Sequence, residues 1–132
     1  MKYLYLYLAM VPVFFVIDFL WINYFAEGLY QKNLKHLLGE VNMTAAIGFY
    51  LIYILGIILF GVLPGIQSGQ WQQALLWGAL FGFFTYATYD LTNMATLKDW
   101  PLKVVVIDIA WGTILCASVA TAGFFIAQTL KI

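Results

Sequence analysis

The sequence predicts an all-α integral membrane protein: a four-helix bundle with a short interfacial amphipathic helix between helices 1 and 2. Three observations carry this. First, 64% of the residues are apolar and 9% are charged, whereas a soluble domain carries about 25% charged residues. Second, a chain of 132 residues has too little interior to hide that much apolar surface from water. Third, the apolar residues fall into four stretches of about 20 or more, the length that crosses a hydrocarbon core of about 30 Å as a helix.

The first stretch runs over residues 3–25. It is too long for the apolar part of a signal peptide, Asp18 interrupts it and no small-x-small cleavage site follows, so it reads as a retained span. The connection AEGLYQKNLKHLLGEVN comes next. Leu29, Tyr30, Leu34, Leu37, Leu38 and Val41 give it one apolar face, with Lys32, Lys35 and Glu40 elsewhere, the pattern of a helix lying in the interface. The second span is expected over 44–63. PGIQSGQ then reads as a polar turn broken by Pro64, Gly65 and Gly69. A third span over 73–97 and a fourth over 102–130 are separated only by LKDWP, so they form a tight antiparallel hairpin. Asp99 is placed to cap the fourth helix and Pro101 to enter its first turn. The chain 1–132 is thus read as a single transmembrane domain.

Four crossings put both termini on one side, the terminal side. The first and third connections lie on the other, the connection side. Lys32, Lys35, Lys98 and Lys103 lie on the connection side, and Lys2 and Lys131 on the terminal side. Counting lysines places the connection side in the cytoplasm and the termini outside. Tyr3, Tyr5, Tyr7 and Trp71 on one side, with Tyr24, Tyr30 and Trp100 on the other, read as aromatic belts at the lipid headgroups.

Composition also removes function classes. Six lysines balance six acidic residues, and there is no arginine, so no basic surface exists for nucleic acid. Cys116 is the only cysteine and reads as a packing residue; His36, the only histidine, reads as a surface residue. One of each leaves no ligand set for zinc, di-iron or bis-histidine haem. No phosphate loop, dinucleotide fingerprint or Ser-His-Asp set is present. Neither metal nor cofactor is expected.

What remains is Asp18, Asp90 and Asp108, each inside an expected span. A carboxylate costs about 2.5–3.5 kcal/mol at a helix centre, so three cost roughly 8–10 kcal/mol if added. That cost is tolerable where they face one another, water or a ligand. Their depths agree. Asp18 precedes Glu27 by nine residues, Asp90 precedes Asp99 by nine, and Asp108 follows Asp99 by nine. Nine residues rise about 13 Å, which sets all three carboxyls at one level.

Their neighbours fit a shared site. Tyr86, Asp90 and Asn93 follow one helix face at i, i+4, i+7, and Thr85, Thr88, Thr92 and Thr96 form a polar strip beside it. VIDFLW (Val16–Trp21) and VIDIAW (Val106–Trp111) repeat an Asp and a Trp three apart. Trp21 and Trp111 can each donate an indole N–H to a carboxylate on a neighbouring helix. Because the two helices run in opposite directions, the indoles are expected to flank the aspartate layer from opposite sides. With no arginine, Lys103 is the nearest cation, and it can instead extend to the interface. At least one carboxyl must therefore carry a proton, or a bound cation must supply the countercharge. The competing structural reading is that buried aspartates link helices by hydrogen bonds. Gly78 and Gly82 form GxxxG, a close-packing pattern.

The stretch TYATYDLTNMATLKDWPLKVVVIDIAWG, from Thr85 to Gly112, with IDFLWINYF from Ile17 to Phe25, resembles a bacterial domain-of-unknown-function family, DUF2177, of small predicted inner-membrane proteins. The similarity runs along essentially the whole chain. It implies four spans and a bacterial inner membrane, and it supplies no activity. It marks Asp18, Asp90, Asn93, Asp99, Trp100, Pro101, Asp108 and Trp111 as matching positions without assigning them a role.

The leading functional expectation is binding or transport of a proton, cation or small polar molecule at Asp18, Asp90 and Asp108. Tyr86, Asn93, Trp21 and Trp111 would orient the guest. Four short helices are few for a pathway, so a homodimer in the bilayer is a natural assembly. Two alternatives stay open. One is a membrane-embedded enzyme, or an enzyme's accessory subunit, acting on a lipid or isoprenoid. The other is a structural membrane scaffold.

Overall fold

A run of residues that buries its backbone polar groups in its own hydrogen bonds can sit in lipid, and this chain is built from such runs. The structure, a computed structural model, describes residues 1–25 and 27–132. Ala26, the first residue of the expected interfacial segment, lies outside the described residues. Among the described residues every regular element is helical. Helix α1 (Lys2–Leu20) runs into a wide π turn (Trp21–Phe25), α2 is Glu27–Leu34, and α3 (Met43–Ile57) passes through a second π turn (Ile58–Val62) into α4 (Leu63–Ser68). The last two are α5 (Trp71–Thr96) and α6 (Leu102–Thr129).

Three segments are long and apolar enough to cross a bilayer: Lys2–Phe25, Met43–Ser68 and Leu102–Thr129, of 24, 26 and 28 residues. Helix α5 is as long, at 26 residues, but more polar. Its threonines are satisfied within the helix. Thr85, Thr88 and Thr96 donate to the carbonyls of Phe81, Phe84 and Thr92 at 2.8, 2.6 and 2.8 Å, and Thr92 donates to the carbonyl of Thr88. Each hydroxyl is thus returned to the preceding turn of its own backbone, so the threonine strip costs less in an apolar setting than its composition suggests.

The second apolar segment departs from expectation at its end. Pro64 and Gly65 do not break it; they lie inside α4, and the chain turns only at Gly69, which adopts the left-handed φ of 74°. The π turn explains this. The Leu63 N–H reaches back to the Ile58 carbonyl, and the widened turn accommodates a proline that a tight helix would have to kink around. At the other end Asn42 caps α3, its side chain accepting from the Ala45 N–H at 3.0 Å.

Neighbouring helices run antiparallel. The α5–α6 hairpin is the most closely packed. A Cβ at Gly78 would stand 2.6 Å from the Ala120 Cβ and 2.7 Å from the Cys116 carbonyl, and one at Gly82 would collide with the Gly112 carbonyl. Gly61 brings the second π turn onto the same pair, where a Cβ would lie 3.2 Å from the Gly78 Cα. GxxxG here serves close approach of backbones. At the α5–α6 interface a residue of α5 faces the residue of α6 equally distant from Asp99, so Gly82 meets Cys116 and Tyr86 meets Gly112.

The turn itself corrects one expectation. Asp99 does not cap α6. It takes a left-handed φ of 62°, which aspartate tolerates better than most residues; Pro101 occupies the N-cap position, without a side-chain cap bond.

Leu6, Met10 and Phe14 of α1, Ile54 and Ile57 of α3, and Leu115 and Val119 of α6 close one apolar core. Outside it, Phe19, Ile52, Phe84 and Ile114 are exposed. An apolar exterior of this extent matches lipid rather than water as the solvent. The Lys2 ammonium donates to the Lys131 carbonyl at 3.1 Å, so the two ends of the chain meet on one side.

Candidate functional site

Among the described residues, two charged side chains are buried, Asp90 at 0% and Asp108 at 7% exposure. The hairpin register sets them opposite each other, since each is nine residues from Asp99. Both line one cavity of about 640 Å³ on the connection side of the core. Helix α2 and the residues after it contribute Tyr30, Leu34 and Leu38 to the cavity wall, α3 contributes Ala45, Ala46, Phe49 and Tyr53, and Trp100 enters from the hairpin turn.

The two carboxyls are treated differently. Asp108 accepts a hydrogen bond from the Tyr30 hydroxyl at 2.7 Å, and that hydroxyl accepts in turn from the Trp21 indole at 3.4 Å. Neither oxygen of Asp90 has a hydrogen-bond partner, and the buried Trp100 Nε1 has none either. The polar groups acting on Asp90 are Asp108 and Trp100, neither of them a cation. An enclosed carboxyl with no countercharge is costly, because burial removes its water and a second carboxyl and one indole replace it only in part.

Tyr30 stands outside the spans, on α2. Burial holds its phenol well above the ordinary tyrosine range, and the neighbouring Asp108 charge and the hydrogen bond to it push the same way. Tyr30 thus remains a donor at any physiological pH. In the sequence it resembles a headgroup-belt aromatic; the structure turns it inward onto Asp108. The apolar face that α2 was expected to lay on the membrane is partly spent on the cavity, with Leu34 buried there. The spacing of Tyr30, Leu34 and Leu38 on one helix face was the available signal, but it does not say whether lipid or protein covers that face.

Asp18 lies outside the cavity lining. It accepts from the Trp111 indole at 3.4 Å and is near enough to Asp108 for their charges to interact. The two indoles do not flank the aspartates from opposite sides. Trp21 and Trp111 stack at 4.5 Å with their planes 6° apart. Side chains tilt toward the N-terminus of their own helix. On antiparallel helices both indoles therefore lean back to the aspartate level and meet there.

Tyr86 lines the cavity, its ring seated against Gly112. Asn93 does not; it lies a turn further on, beside Tyr89. Tyr89 sets the Trp100 ring edge-on, with centroids 5.9 Å apart at 88°. Sequence reasoning passed over Tyr53. Its hydroxyl joins Thr85 Oγ1 at 2.7 Å and Cys116 Sγ at 3.1 Å, tying α3 to both helices of the hairpin. Nothing in the local pattern around Tyr53 distinguishes it from a lipid-facing aromatic.

The arrangement sets two adjacent carboxyls, with no cation beside Asp90, at the wall of an aromatic chamber whose phenols and Trp100 indole are the available donors. It can hold a proton, or bind a guest that brings positive charge or N–H and O–H groups. A family model described as "Predicted membrane protein (DUF2177)" matches residues 3–125. No curated protein and no solved structure gives a significant match.

Proposed function

This chain belongs to the DUF2177 family of predicted membrane proteins, and we propose that it binds or transports a proton, cation or small polar molecule at a site centred on Asp90 and Asp108. The reading takes α5 as the fourth span, so that four antiparallel segments cross a bacterial inner membrane as one domain with both termini on the periplasmic side. Asp18 is the outer member of the site, coupled to it through the Trp111 and Trp21 indoles. The observation that carries the proposal is Asp90: fully enclosed, on the wall of a cavity of about 640 Å³, with both oxygens unpartnered. A linking aspartate is retained for the donors it meets on a neighbouring helix, and the nearest polar groups to Asp90 are a second carboxyl and one indole.

The test is reconstitution into vesicles holding a pH-sensitive dye, with proton and cation gradients imposed in turn. Flux through the wild-type chain should fall at least about tenfold in Asp90→Asn and in Asp108→Asn, since each removes the ionisable group and little volume. Flux unchanged in both variants removes the proposal.

A second reading has one observation in its favour. The cavity wall is mostly hydrocarbon and aromatic, which suits acid–base work by the carboxyl pair on a lipid or isoprenoid. Lipid analysis of a strain lacking the protein separates the two: an altered lipid species supports the enzyme, and an unchanged lipid profile with altered solute sensitivity supports binding or transport.

A further inference from the structure

The proposed site is much larger than a proton or an inorganic ion needs. One water occupies about 30 Å³ in the liquid, and the cavity, at about 640 Å³, falls in the range that holds whole organic molecules. Its wall also says what kind. Phe49, Tyr53, Tyr86 and Tyr89 present rings and Leu34 and Val104 aliphatic surface, while the carboxyls of Asp90 and Asp108 supply charge at one place. Among the described residues no three of His, Cys, Asp and Glu are grouped to hold a metal ion. Sites for hard inorganic cations surround the ion with oxygen ligands, whereas ring and aliphatic carbon makes up most of this wall.

We infer that the guest is a protonated primary or secondary amine carried on an apolar body, its N–H groups donated to Asp90 and Asp108 and its hydrocarbon set against the aromatic wall. The inference rests on the proposed binding role of this cavity and adds the chemical class of the ligand. Three matched head groups show why. An alcohol brings one donor and no charge, leaving the carboxyl pair uncompensated. A quaternary ammonium brings charge and suits the ring faces, but it has no hydrogen to give Asp90. An alkylammonium brings both, and charge-assisted N–H bonds to carboxylate are among the strongest a site can form. Asp90 is sealed at 0% exposure, so the head group enters by displacing the Tyr30 hydroxyl from Asp108, where it now donates at 2.7 Å.

The experiment is titration calorimetry on the full chain in detergent micelles with naphthylethylamine, naphthylethanol and the trimethylammonium analogue. The amine should bind at least about tenfold tighter than either relative. That preference should vanish in Asp90→Asn, whose thermal midpoint is followed to confirm folding. Ala46→Trp, which fills the chamber and leaves the carboxyls in place, should abolish binding of all three. Tyr30→Phe should tighten amine binding, because the competing hydroxyl is gone and the ring stays. Equal affinity for amine and alcohol overturns the inference, as does a preference that survives Asp90→Asn. If the preference is absent while vesicle flux still depends on Asp90 and Asp108, the amine assignment falls and the proposed function stands. If that flux dependence is absent too, both fall.

Discussion

Tyr30 shows how one hydroxyl organises a polar cluster from outside the membrane spans. It donates to Asp108 and accepts from Trp21, so losing it leaves a buried carboxyl and an indole N–H unsatisfied. Tyr30→Phe should lower the unfolding free energy by about 1–3 kcal/mol, the usual cost of leaving a buried polar group unsatisfied, read from denaturation in mixed micelles. The phenol also titrates abnormally. Its value is raised in the folded state by burial and by Asp108, so the neutral form is favoured by folding. The associated stability is fully present below the ordinary tyrosine value of 10.0 and is lost as pH climbs from there through the raised value. Tyrosinate absorbance should show one late-ionising tyrosine fewer in Tyr30→Phe than in the wild type. Residue by residue, the nine-residue spacing of Asp90 and Asp108 from Asp99 made their facing positions on one cavity wall legible in the sequence. The sequence mislocated the indoles, because spacing along a helix omits the tilt of the side chain. Tyr30 escaped because its role depends on where α2 docks, which the local pattern does not set.

At the level of helices, glycines decide how deep the carboxyl pair sits within protein. Backbones in the α5–α6 hairpin approach so closely that a methyl at Gly82 meets the Gly112 carbonyl. Gly82→Ala should destabilise the chain by about 1–3 kcal/mol through overpacking, seen as a lower thermal midpoint in detergent, and Gly82→Leu should do so further. An equally stable Gly82→Leu would mean that the hairpin contact is absent in micelles. The helices themselves were readable from apolar length, and the tight hairpin from the short LKDWP connection. The continuation through Pro64 was not: a proline followed by glycine ordinarily marks a turn, and only the preceding π turn makes room for both. The threonine strip, read as lying beside the Tyr86–Asp90–Asn93 face, is held by intrahelical carbonyls, and its Thr85 also reaches the cavity wall.

Across the whole molecule the open question of crossing number becomes a question of sidedness. Three segments are apolar enough to span by composition; α5 matches them in length at 26 residues, and the proposed reading takes it as the fourth. The proposed four crossings would place both ends of the chain on one face, in keeping with the Lys2–Lys131 contact; three would separate them. Cysteines substituted singly at Lys2 and Lys131 should therefore react with an impermeant maleimide from the same side of sealed vesicles, and those at Lys35 and Lys98 from the opposite side. Labelling of Lys2 and Lys131 positions from different sides would sink the four-span arrangement, and with it the burial of the carboxyl pair at mid-depth. The proposed orientation, read from the lysine count, puts the termini in the periplasm, and spheroplast labelling checks it directly.

The bond between Tyr53 and Cys116 has a practical consequence. This sulfur is the only one in the chain that a thiol reagent could attack, and it is enclosed. The native protein is thus already a silent background for chemical mapping, with no ancestral cysteine to remove first. Any modification that does appear at that sulfur, on addition of a solute, records α3 lifting away from the hairpin, a movement the wild-type chain can report without a single introduced label.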